Sequence, residues 1–375
     1  MGEQIVKILV TGACGFIGKN FIRRLERMDG MTVYPYDIDT PQEKLSEYAA
    51  DCDMVFHLAG INRPERVEEY MEGNFGFTET LLKALDDAGN KKAKVVVSSS
   101  IQAELDNPYG VSKKAGEELV TEHAAANGAK SVIYRFPNVF GKWCRPNYNS
   151  AVATFCNNIA RGLPIKVNDP ETVLRLVYID DVVDELMLCL EDKEHVKDGY
   201  GYVPTVYEVK LGRIPELLYS FADTRKNFTL PDFSDGFEKK LYSTYLSYIP
   251  EDDYKYPLCM HEDARGSFTE FIKTPDRGQV SVNISHPGIV KGNHWHNTKN
   301  EKFLVVKGTG LIRLRKVGED KITEYHVSGD KLEVVDIPCG YTHSITNVGE
   351  DDMVTVMWVN EVFDPNRSDT NHEEV

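Results

Sequence analysis

The chain has 375 residues, 41% of them hydrophobic and 27% charged, a length that favours two domains and a composition typical of globular proteins. No apolar run approaches the roughly 20 residues that a membrane span needs, which argues against membrane insertion. The formal net charge of −16 repels polyphosphates, so nucleic acid is not an expected partner.

The cysteines and the N-terminus both bear on the compartment. The seven cysteines are scattered and form no C-x-x-C pair, which predicts reduced thiols rather than a disulfide framework. The chain enters a strand-like run at once, without the basic start and apolar stretch of a signal peptide. These observations predict a cytoplasmic protein.

The first predicted elements are a strand, a glycine turn and a helix, in the stretch VKILVTGACGFIGKNFIRRL. Glycine lets the backbone of such a turn approach a pyrophosphate, and the helix N-terminus offers that anion free N–H groups. A second strand run ends at Asp37, 19 residues after Gly18, close to the spacing of a ribose-binding carboxylate. Two more buried runs, DMVFHLAG and AKVVVSSS, predict a parallel doubly wound sheet.

Candidate proton-transfer groups occur in NPYGVSKKAGEEL. Tyr109 and Lys113 lie four residues apart near the start of a predicted helix, so they share one face. The ammonium group is expected to lower the pKa of the tyrosine. A serine at the end of the preceding strand, Ser100 or Ser99, is expected to orient a carbonyl group. The set predicts proton transfer coupled to hydride chemistry beside a nicotinamide.

With these motifs, residues 1–245 resemble the extended short-chain dehydrogenases/reductases that act on nucleotide sugars. The resemblance implies an α/β Rossmann-like domain with Ser100, Tyr109 and Lys113 as catalytic residues. It also implies a larger set of cofactor-binding residues: Gly12, Gly15, Phe16, Ile17, Gly18, Asp37, Leu58, Ala59, Gly60, Asn74, Ser98, Ser99, Tyr109 and Lys113.

Two later segments, YRFPNVFG and RLVYIDDVV, resemble the parts of this family that close over the nicotinamide and the sugar nucleotide. Asn138 and Arg175 are therefore expected to touch substrate, with a polar turn and a surface ion pair as the alternative interpretation. His57 is expected to be a strand-end element rather than a catalyst.

The cofactor-binding pattern departs from the family at two positions. Enzymes that use NADPH usually have Lys or Arg in the glycine turn or just after the second strand, to bind the 2′-phosphate. Here these positions hold Cys14 and Asp37, which favour NADH, whereas the family resemblance implies NADPH.

From residue 246 onward short strand-like runs replace the alternation of helices and strands, which predicts a second domain over 246–375. Runs such as QVSVNIS, EKFLVVKG and DMVTVMWVN predict an antiparallel barrel or jelly roll. The acidic end, NRSDTNHEEV, is expected to be a solvated tail.

Two stretches of the second half match the cupin motifs. The first, G(x)5HxH(x)4E(x)6G, is complete and contains His294, His296 and Glu301; the second contains His343 and lacks only its leading glycine. His294 and His296 face one side of a strand, and Glu301 is expected to begin the strand alongside. Three imidazoles and a carboxylate favour zinc or another first-row divalent ion. The pattern does not decide between a structural and a catalytic ion.

The stretch DARGSFTE resembles the entry strand of the deoxysugar 3,5-epimerases, which are cupins acting on nucleotide-linked 4-keto sugars. This resemblance implies that Arg265 binds a phosphate and that Glu270 helps to frame the sugar. A ketone at C4 acidifies the hydrogen at C3, so such an enzyme needs a base, an acid and stabilisation of the enolate. The sequence does not choose among three candidate proton carriers: His326, Tyr341 and Lys302.

Along its whole length the chain resembles bifunctional enzymes of capsular polysaccharide synthesis in the UDP-N-acetyl-L-fucosamine route. The resemblance implies C3 epimerisation of a UDP-2-acetamido-2,6-dideoxy-L-hexos-4-ulose by the cupin domain. Reduction at C4 by the first domain would then give UDP-2-acetamido-2,6-dideoxy-L-talose. The resemblance also implies NADPH, zinc and a homodimer built through the cupin domains.

Two alternatives remain open. In the first, the cupin is only a metal-stabilised dimerisation module beside an active reductase. In the second, the whole chain is a regulator that binds nucleotide sugars, which the presence of Ser100, Tyr109 and Lys113 disfavours.

Overall fold

The apolar runs of the first half form a parallel sheet, as predicted. The computed structural model describes residues 5–375. The elements of the first half are β1 (Val6–Thr11), α1 (Phe16–Leu25), β2 (Met31–Tyr36), α2 (Gln42–Asp51), β3 (Met54–His57), α3 (Phe77–Asp87), β4 (Lys94–Ser100), α4 (Pro108–Asn127), β5 (Ser131–Phe136), β6 (Asn138–Phe140), α5 (Ala151–Ala160), β7 (Val173–Tyr178), α6 (Ile179–Leu188), β8 (Val196–Lys197), β9 (Tyr200–Gly201), β10 (Tyr207–Lys210), α7 (Arg213–Asn227) and α8 (Gly236–Leu246).

The main sheet has the order β2-β1-β3-β4-β5-β9-β8, and its first five strands are parallel. An apolar core lies on each face of this sheet, and successive side chains of β1 pack into one core and then the other. Ile8 packs in the same cluster as Phe21 of α1, and Leu9 in the same cluster as Leu81 of α3. A parallel sheet buried on both faces explains the continuous apolar runs in the sequence. Strands β10, β7 and β6 form a separate three-stranded sheet.

The second half is an all-β arrangement of two antiparallel sheets. Its strands are β11 (Met260–Asp263), β12 (Gly266–Thr274), β13 (Gly278–Ser285), β14 (Val290–Trp295), β15 (Glu301–Lys307), β16 (Thr309–Lys316), β17 (Ile322–Ser328), β18 (Val334–Ile337), β19 (Tyr341–Asn347), β20 (Met353–Val359) and β21 (Asn371–His372). One sheet has the order β11-β12-β13-β20-β15-β18 and the other β17-β16-β19-β14-β21. Both contribute to one apolar core, with Phe303 and Val305 from the first sheet and Ile312 and Ile345 from the second.

The described residues form two compact units. One unit holds the residues up to Tyr219 together with Ser234–Pro250, and the other holds Ser220–Phe233 and Glu251–Val375. The domain limits 1–245 and 246–375 stay a prediction. Among residues 5–375, no helix is both long enough and apolar enough to cross a membrane.

Two expectations about the second half are wrong. Glu301 begins β15, as expected, but β15 does not lie beside β14: the two strands belong to different sheets, and the glutamate faces the histidines from the opposite sheet. The end of the chain is not a solvated tail, because β21 pairs with β14 and extends its sheet. In the first case the chain crosses to the other sheet, and in the second it returns to pair with an earlier strand. Local sequence patterns do not predict such topology.

Candidate active site and metal site

The glycine turn between β1 and α1 is packed too closely for any side chain at two of its glycines. A Cβ on Gly18 would lie 2.1 Å from the carbonyl oxygen of Gly12. A Cβ on Gly12, which has a φ of +68°, would lie 2.7 Å from the backbone nitrogen of Ala59. The turn therefore touches the loop after β3, and the N-cap of α1 is Gly15, which has no side chain to cap the helix. Such a cradle fits a dinucleotide pyrophosphate.

Asp37 lies against this turn, directly after β2. One carboxylate oxygen accepts the Cys14 N–H at 2.6 Å, and the other accepts the Ile38 N–H at 2.8 Å. The carboxylate is thus fixed beside the glycine cradle, at the position where a ribose is expected.

The structure distinguishes the two candidate serines at the end of β4. The Ser100 hydroxyl lies near the Tyr109 hydroxyl and accepts the Gln102 N–H at 3.2 Å, whereas the Ser99 hydroxyl donates to Glu117. Glu117 is buried and also forms a two-pronged ion pair with Arg135. Ser100 is therefore the serine beside Tyr109, while Ser99 belongs to a buried polar network.

The expected lowering of the Tyr109 pKa is wrong for the protein alone. Burial raises the pKa of Tyr109, and the nearby Ser100 hydroxyl opposes that rise only in part. Burial lowers the pKa of Lys113 to about 8, opposed by nearby Glu117. The ammonium group donates to the Ser98 carbonyl at 3.1 Å, so its charge is partly engaged by the backbone.

Asn74 joins the loop after β3 to α4. Its amide oxygen accepts the Ile61 N–H at 2.9 Å, and its amide nitrogen donates to the Ile61 carbonyl and to Ser112. A Cβ on Gly60 would lie 2.7 Å from the Lys113 amine. Gly60 and Asn74 therefore lie beside the lysine, and the asparagine side chain holds the loop in place.

His57 is buried in a chain of hydrogen bonds behind the cradle. Its Nδ1 lies 2.7 Å from the Thr11 hydroxyl and its Nε2 lies 2.9 Å from the Thr78 hydroxyl. Because Thr78 donates to the Asn74 carbonyl, it accepts from His57, which assigns the proton to Nε2. Burial, with Lys113 nearby, lowers the pKa of His57 to about 3. This neutral imidazole ties together the ends of β1 and β3, in keeping with a strand-end element.

Asn138 on β6 and Arg175 on β7 lie close together in the three-stranded sheet. The Asn138 amide donates to the Arg175 carbonyl at 3.4 Å, and the Arg175 side chain is exposed. The remaining predicted cofactor contacts lie in the glycine turn (Gly15), at the start of α1 (Phe16 and Ile17) and in the loop after β3 (Leu58 and Ala59).

The second unit brings four metal-binding side chains to one point. One nitrogen or oxygen atom from each of His294, His296, Glu301 and His343 lies within 4.8 Å of the others. Glu301 Oε2 is 3.0 Å from His343 Nε2 and 3.8 Å from His296 Nε2. Burial and then the neighbouring His343 lower the pKa of His294 to about 4, which keeps its imidazole neutral. Neutral imidazoles and a carboxylate are ligands of Zn²⁺.

The hydrogen bonding of these four side chains also indicates a site for a metal ion. The buried Glu301 Oε2 and His343 Nε2, which face each other in the cluster, lack hydrogen-bond partners of good geometry. Unpaired buried polar atoms are costly, so a cluster of them that converges on one point indicates a missing ligand. The His296 Nδ1 donates to the Asp369 carbonyl, which directs its Nε2 toward Glu301. These four residues would hold the ion.

Arg265 directly precedes β12, whereas Glu270 lies within this strand. Arg265 is exposed in the turn before the strand and forms an ion pair with Asp263 at 2.6 Å. Glu270 pairs across the sheet with Ser281 and forms an ion pair with Lys273 at 3.0 Å. The structure does not join these two residues into one contact.

Two of the three candidate proton carriers face away from the core of the second unit. Lys302 and His326 are exposed, and their chain neighbours Phe303 and Val327 point into the core. Lys302 is also paired with Asp336. Tyr341 packs against the core on the same strand as His343 and two residues before it, so it shares the face of that metal-site histidine.

The sequence prediction missed Glu117 and Asp369. Glu117 follows Lys113 by four residues on α4, so helical spacing signals its place beneath the active-site face. Asp369 had no such signal, because it lies in a polar end segment that matches neither cupin motif.

The fold and the sites define a dinucleotide-binding reductase-like unit joined to an antiparallel unit with a His₃Glu cluster. The chain belongs to the NAD dependent epimerase/dehydratase family, whose family model matches residues 8–203. Residues 261–371 match the family model of the polysaccharide biosynthesis C-terminal domain.

Particular relatives cover nearly the whole chain. The UDP-2-acetamido-2,6-beta-L-arabino-hexul-4-ose reductase of Pseudomonas aeruginosa is 44% identical, over 97% of this chain and 98% of that protein. The crystal structure of the capsular polysaccharide assembling protein CapF from Staphylococcus aureus is 55% identical with a TM-score of 0.93, covering 98% of this chain and 100% of that one. A structure of CapF with the inhibitor 3-isopropenyl-tropolone is 50% identical, with a TM-score of 0.88 and coverage of 99% and 100%. The predicted resemblance to enzymes of capsular polysaccharide synthesis is confirmed.

Proposed function

We propose that the first unit reduces the C4 ketone of a UDP-linked 2-acetamido-2,6-dideoxy-L-hexos-4-ulose with a reduced nicotinamide cofactor, giving the 2-acetamido-2,6-dideoxy-L-talose product. The observation that carries this proposal is the placement of Ser100, at the end of β4, near Tyr109 and Lys113 on the first turns of α4. The name of the Pseudomonas aeruginosa relative agrees with a ketone reduction. Incubation with this ketone and cofactor tests it: product and oxidised cofactor are expected, and an inert mixture would refute the proposal.

The protonation states of the unit suit reduction. When bound, the cofactor supplies a hydride to the carbonyl carbon. Because the pKa of Tyr109 is raised, its hydroxyl is protonated at neutral pH and can donate a proton to the ketone oxygen. Ser100 would orient that oxygen, and the ammonium group of Lys113 would stabilise the phenolate that remains. Asn138 and Arg175 would contact the sugar nucleotide.

We further propose that the second unit is a cupin jelly roll that inverts C3 of the same keto sugar before reduction. The His₃Glu cluster would hold zinc or another divalent ion, which when bound stabilises negative charge on an enolate oxygen. An inhibitor of CapF supports this assignment, because a tropolone presents two adjacent oxygens that suit such an ion. Arg265 would bind a phosphate of the substrate, Glu270 would contact the sugar, and Tyr341 is the remaining candidate for proton transfer.

Between the two nicotinamide cofactors, Asp37 favours NADH over the NADPH that the family resemblance implies. Its carboxylate is fixed at the cradle and would repel a 2′-phosphate while accepting a 2′-hydroxyl. We expect kcat/KM for NADH to exceed that for NADPH by about tenfold or more, equal to about 1.4 kcal/mol. The Asp37→Asn variant should reduce this ratio, because the amide oxygen still accepts the Cys14 N–H but carries no charge.

The neighbouring exposed carboxylate provides the matched control for this prediction. Asp39→Asn removes the same charge just after β2 and should leave the ratio unchanged. Steady-state kinetics with both cofactors measure it. A wild-type preference for NADPH, or an unchanged ratio in Asp37→Asn, would show that Asp37 does not select the cofactor.

We also propose that the chain forms a homodimer through the second unit. Val282, Val356, Leu304 and Val334 are paired in one row across four neighbouring strands, on the face opposite the core. A flat apolar row on the outside of an antiparallel sheet suits packing against a second copy. A mass in solution of twice the 42.4 kDa chain is expected, and a monomer would contradict this proposal.

The reaction is proposed to take place in the cytoplasm. All seven cysteines are free thiols in the structure, which is consistent with a reducing compartment.

A further inference from the structure

Residues 369–375, here called the C-terminal strap, lie against β14, the strand that carries His294 and leads directly to His296. His372 is paired with His294, and the Glu373 N–H donates to the Asn293 carbonyl at 3.1 Å. Arg315 fixes the end of the strap by donating to the Glu373 carboxylate and to the Glu374 carbonyl, both at 2.6 Å. The strap thus forms the outer strand of the sheet beside the metal site.

Asp369 anchors the start of the strap to the turn that follows His296. One carboxylate oxygen accepts the Thr298 N–H at 2.7 Å, and the other accepts the Asn297 N–H at 3.0 Å and its side-chain amide at 2.8 Å. The Thr298 hydroxyl donates as well, at 3.1 Å. An ionised acceptor that collects several donors forms strong and directional hydrogen bonds.

The backbone carbonyl of Asp369 accepts the Nδ1 proton of His296. This bond fixes the tautomer, so Nε2 carries the lone pair and points toward Glu301. The carboxylate determines where the carbonyl lies, because it holds the same residue to the turn. Through these two groups one residue of the strap sets the orientation of a metal ligand.

We propose that the C-terminal strap is part of the metal site, with Asp369 as a positioning residue that sets the orientation and tautomer of His296. This inference rests on the proposed metal site. It assigns a role in metal affinity to a segment outside both cupin motifs. It also predicts that the ligand geometry changes when the strap is loosened, even when the four ligands are intact.

The test measures cobalt(II) binding by the full-length protein, because the visible spectrum of Co²⁺ reports its ligand geometry. In Asp369→Asn, an NH₂ group replaces one acceptor oxygen and opposes N–H donors of the turn. We expect a Co²⁺ affinity about ten- to a hundredfold lower, with a shifted spectrum. Deletion of residues 369–375 should lower affinity at least as much.

Glu374→Gln is the matched control within the strap, because the Glu374 side chain is exposed and Arg315 binds only the backbone carbonyl of this residue. Its affinity should equal that of the wild type. Thermal unfolding of the metal-free proteins accompanies each titration. A variant that is less stable but keeps the wild-type spectrum and affinity counts against the proposal.

The outcomes distinguish a failure of the proposed metal site from a failure of the proposed role of the strap. If the wild type does not bind Co²⁺ or Zn²⁺, the proposed metal site is wrong and the role of the strap falls with it. If the wild type binds, and both Asp369→Asn and the deletion bind with the same affinity and spectrum, only the role of the strap is refuted. Weaker binding with a changed spectrum at unchanged metal-free stability supports the proposal.

Discussion

Replacing Tyr109 by phenylalanine is expected to lower kcat for ketone reduction by about 10²- to 10⁴-fold, the usual contribution of a positioned general acid. The hydroxyl removed is the one near Ser100, and its raised pKa keeps it protonated at neutral pH. The ring remains, so packing against Tyr70 is preserved and cofactor affinity should change little. Stopped-flow and steady-state assays of cofactor oxidation measure the effect.

The control for this variant is Tyr219→Phe, which removes a hydroxyl from an exposed tyrosine of α7 and should retain full activity. Fluorescence titration with the reduced cofactor separates binding from chemistry. If Tyr109→Phe kept kcat within about threefold of the wild type, another group would be the proton donor, and the proposed mechanism would be wrong.

Replacing His343 by alanine is expected to remove the metal ion and the C3 exchange of the keto sugar together. His343 is 1% exposed in its side chain and lies 3.0 Å from Glu301, so its loss opens the centre of the cluster. Metal content should fall from about one ion per chain to nearly none. Reduction of a ketone already inverted at C3 should continue, because Ser100, Tyr109 and Lys113 belong to the first unit.

His261→Ala is the control, since this exposed histidine of β11 lies outside the cluster. Elemental analysis gives the metal content, and proton NMR in deuterated solvent gives the exchange rate. Retention of C3 exchange by metal-free His343→Ala would mean that the ion is structural. Loss of ketone reduction in the same variant, on the inverted substrate, would contradict the division of labour between the units.

The fold and the candidate site residues of the first half were predictable, because those residues occur in short local sequence motifs. The glycine turn, the acid after β2 and the Tyr109/Lys113 pair each lie within one strand-to-helix or helix segment, where spacing determines geometry. The charge state of Tyr109 was not predictable in this way. It depends on how deeply the fold buries the hydroxyl, and the effect of burial on its pKa outweighs that of the nearby Ser100 hydroxyl.

In the second half, the local sequence motif predicted less of the site geometry. The motif predicted that His294 and His296 face one side, yet it could not tell that Glu301 approaches from the opposite sheet. It gave no sign of Asp369, which is 73 residues from His296 along the chain and is brought to it by the return of the strap. Contacts made by a returning chain depend on topology, so they become visible only in the folded structure.

The most direct test of the whole account is proton NMR of the UDP-linked 4-keto-6-deoxy-HexNAc in D₂O with the wild-type protein. Without cofactor, we predict that deuterium enters C3 of the sugar. Addition of NADH or NADPH should then oxidise the cofactor and yield the 4-hydroxy product. Cofactor oxidation without C3 exchange would contradict the proposed epimerase and reduce the second unit to an assembly module. The absence of both signals would contradict the proposed substrate.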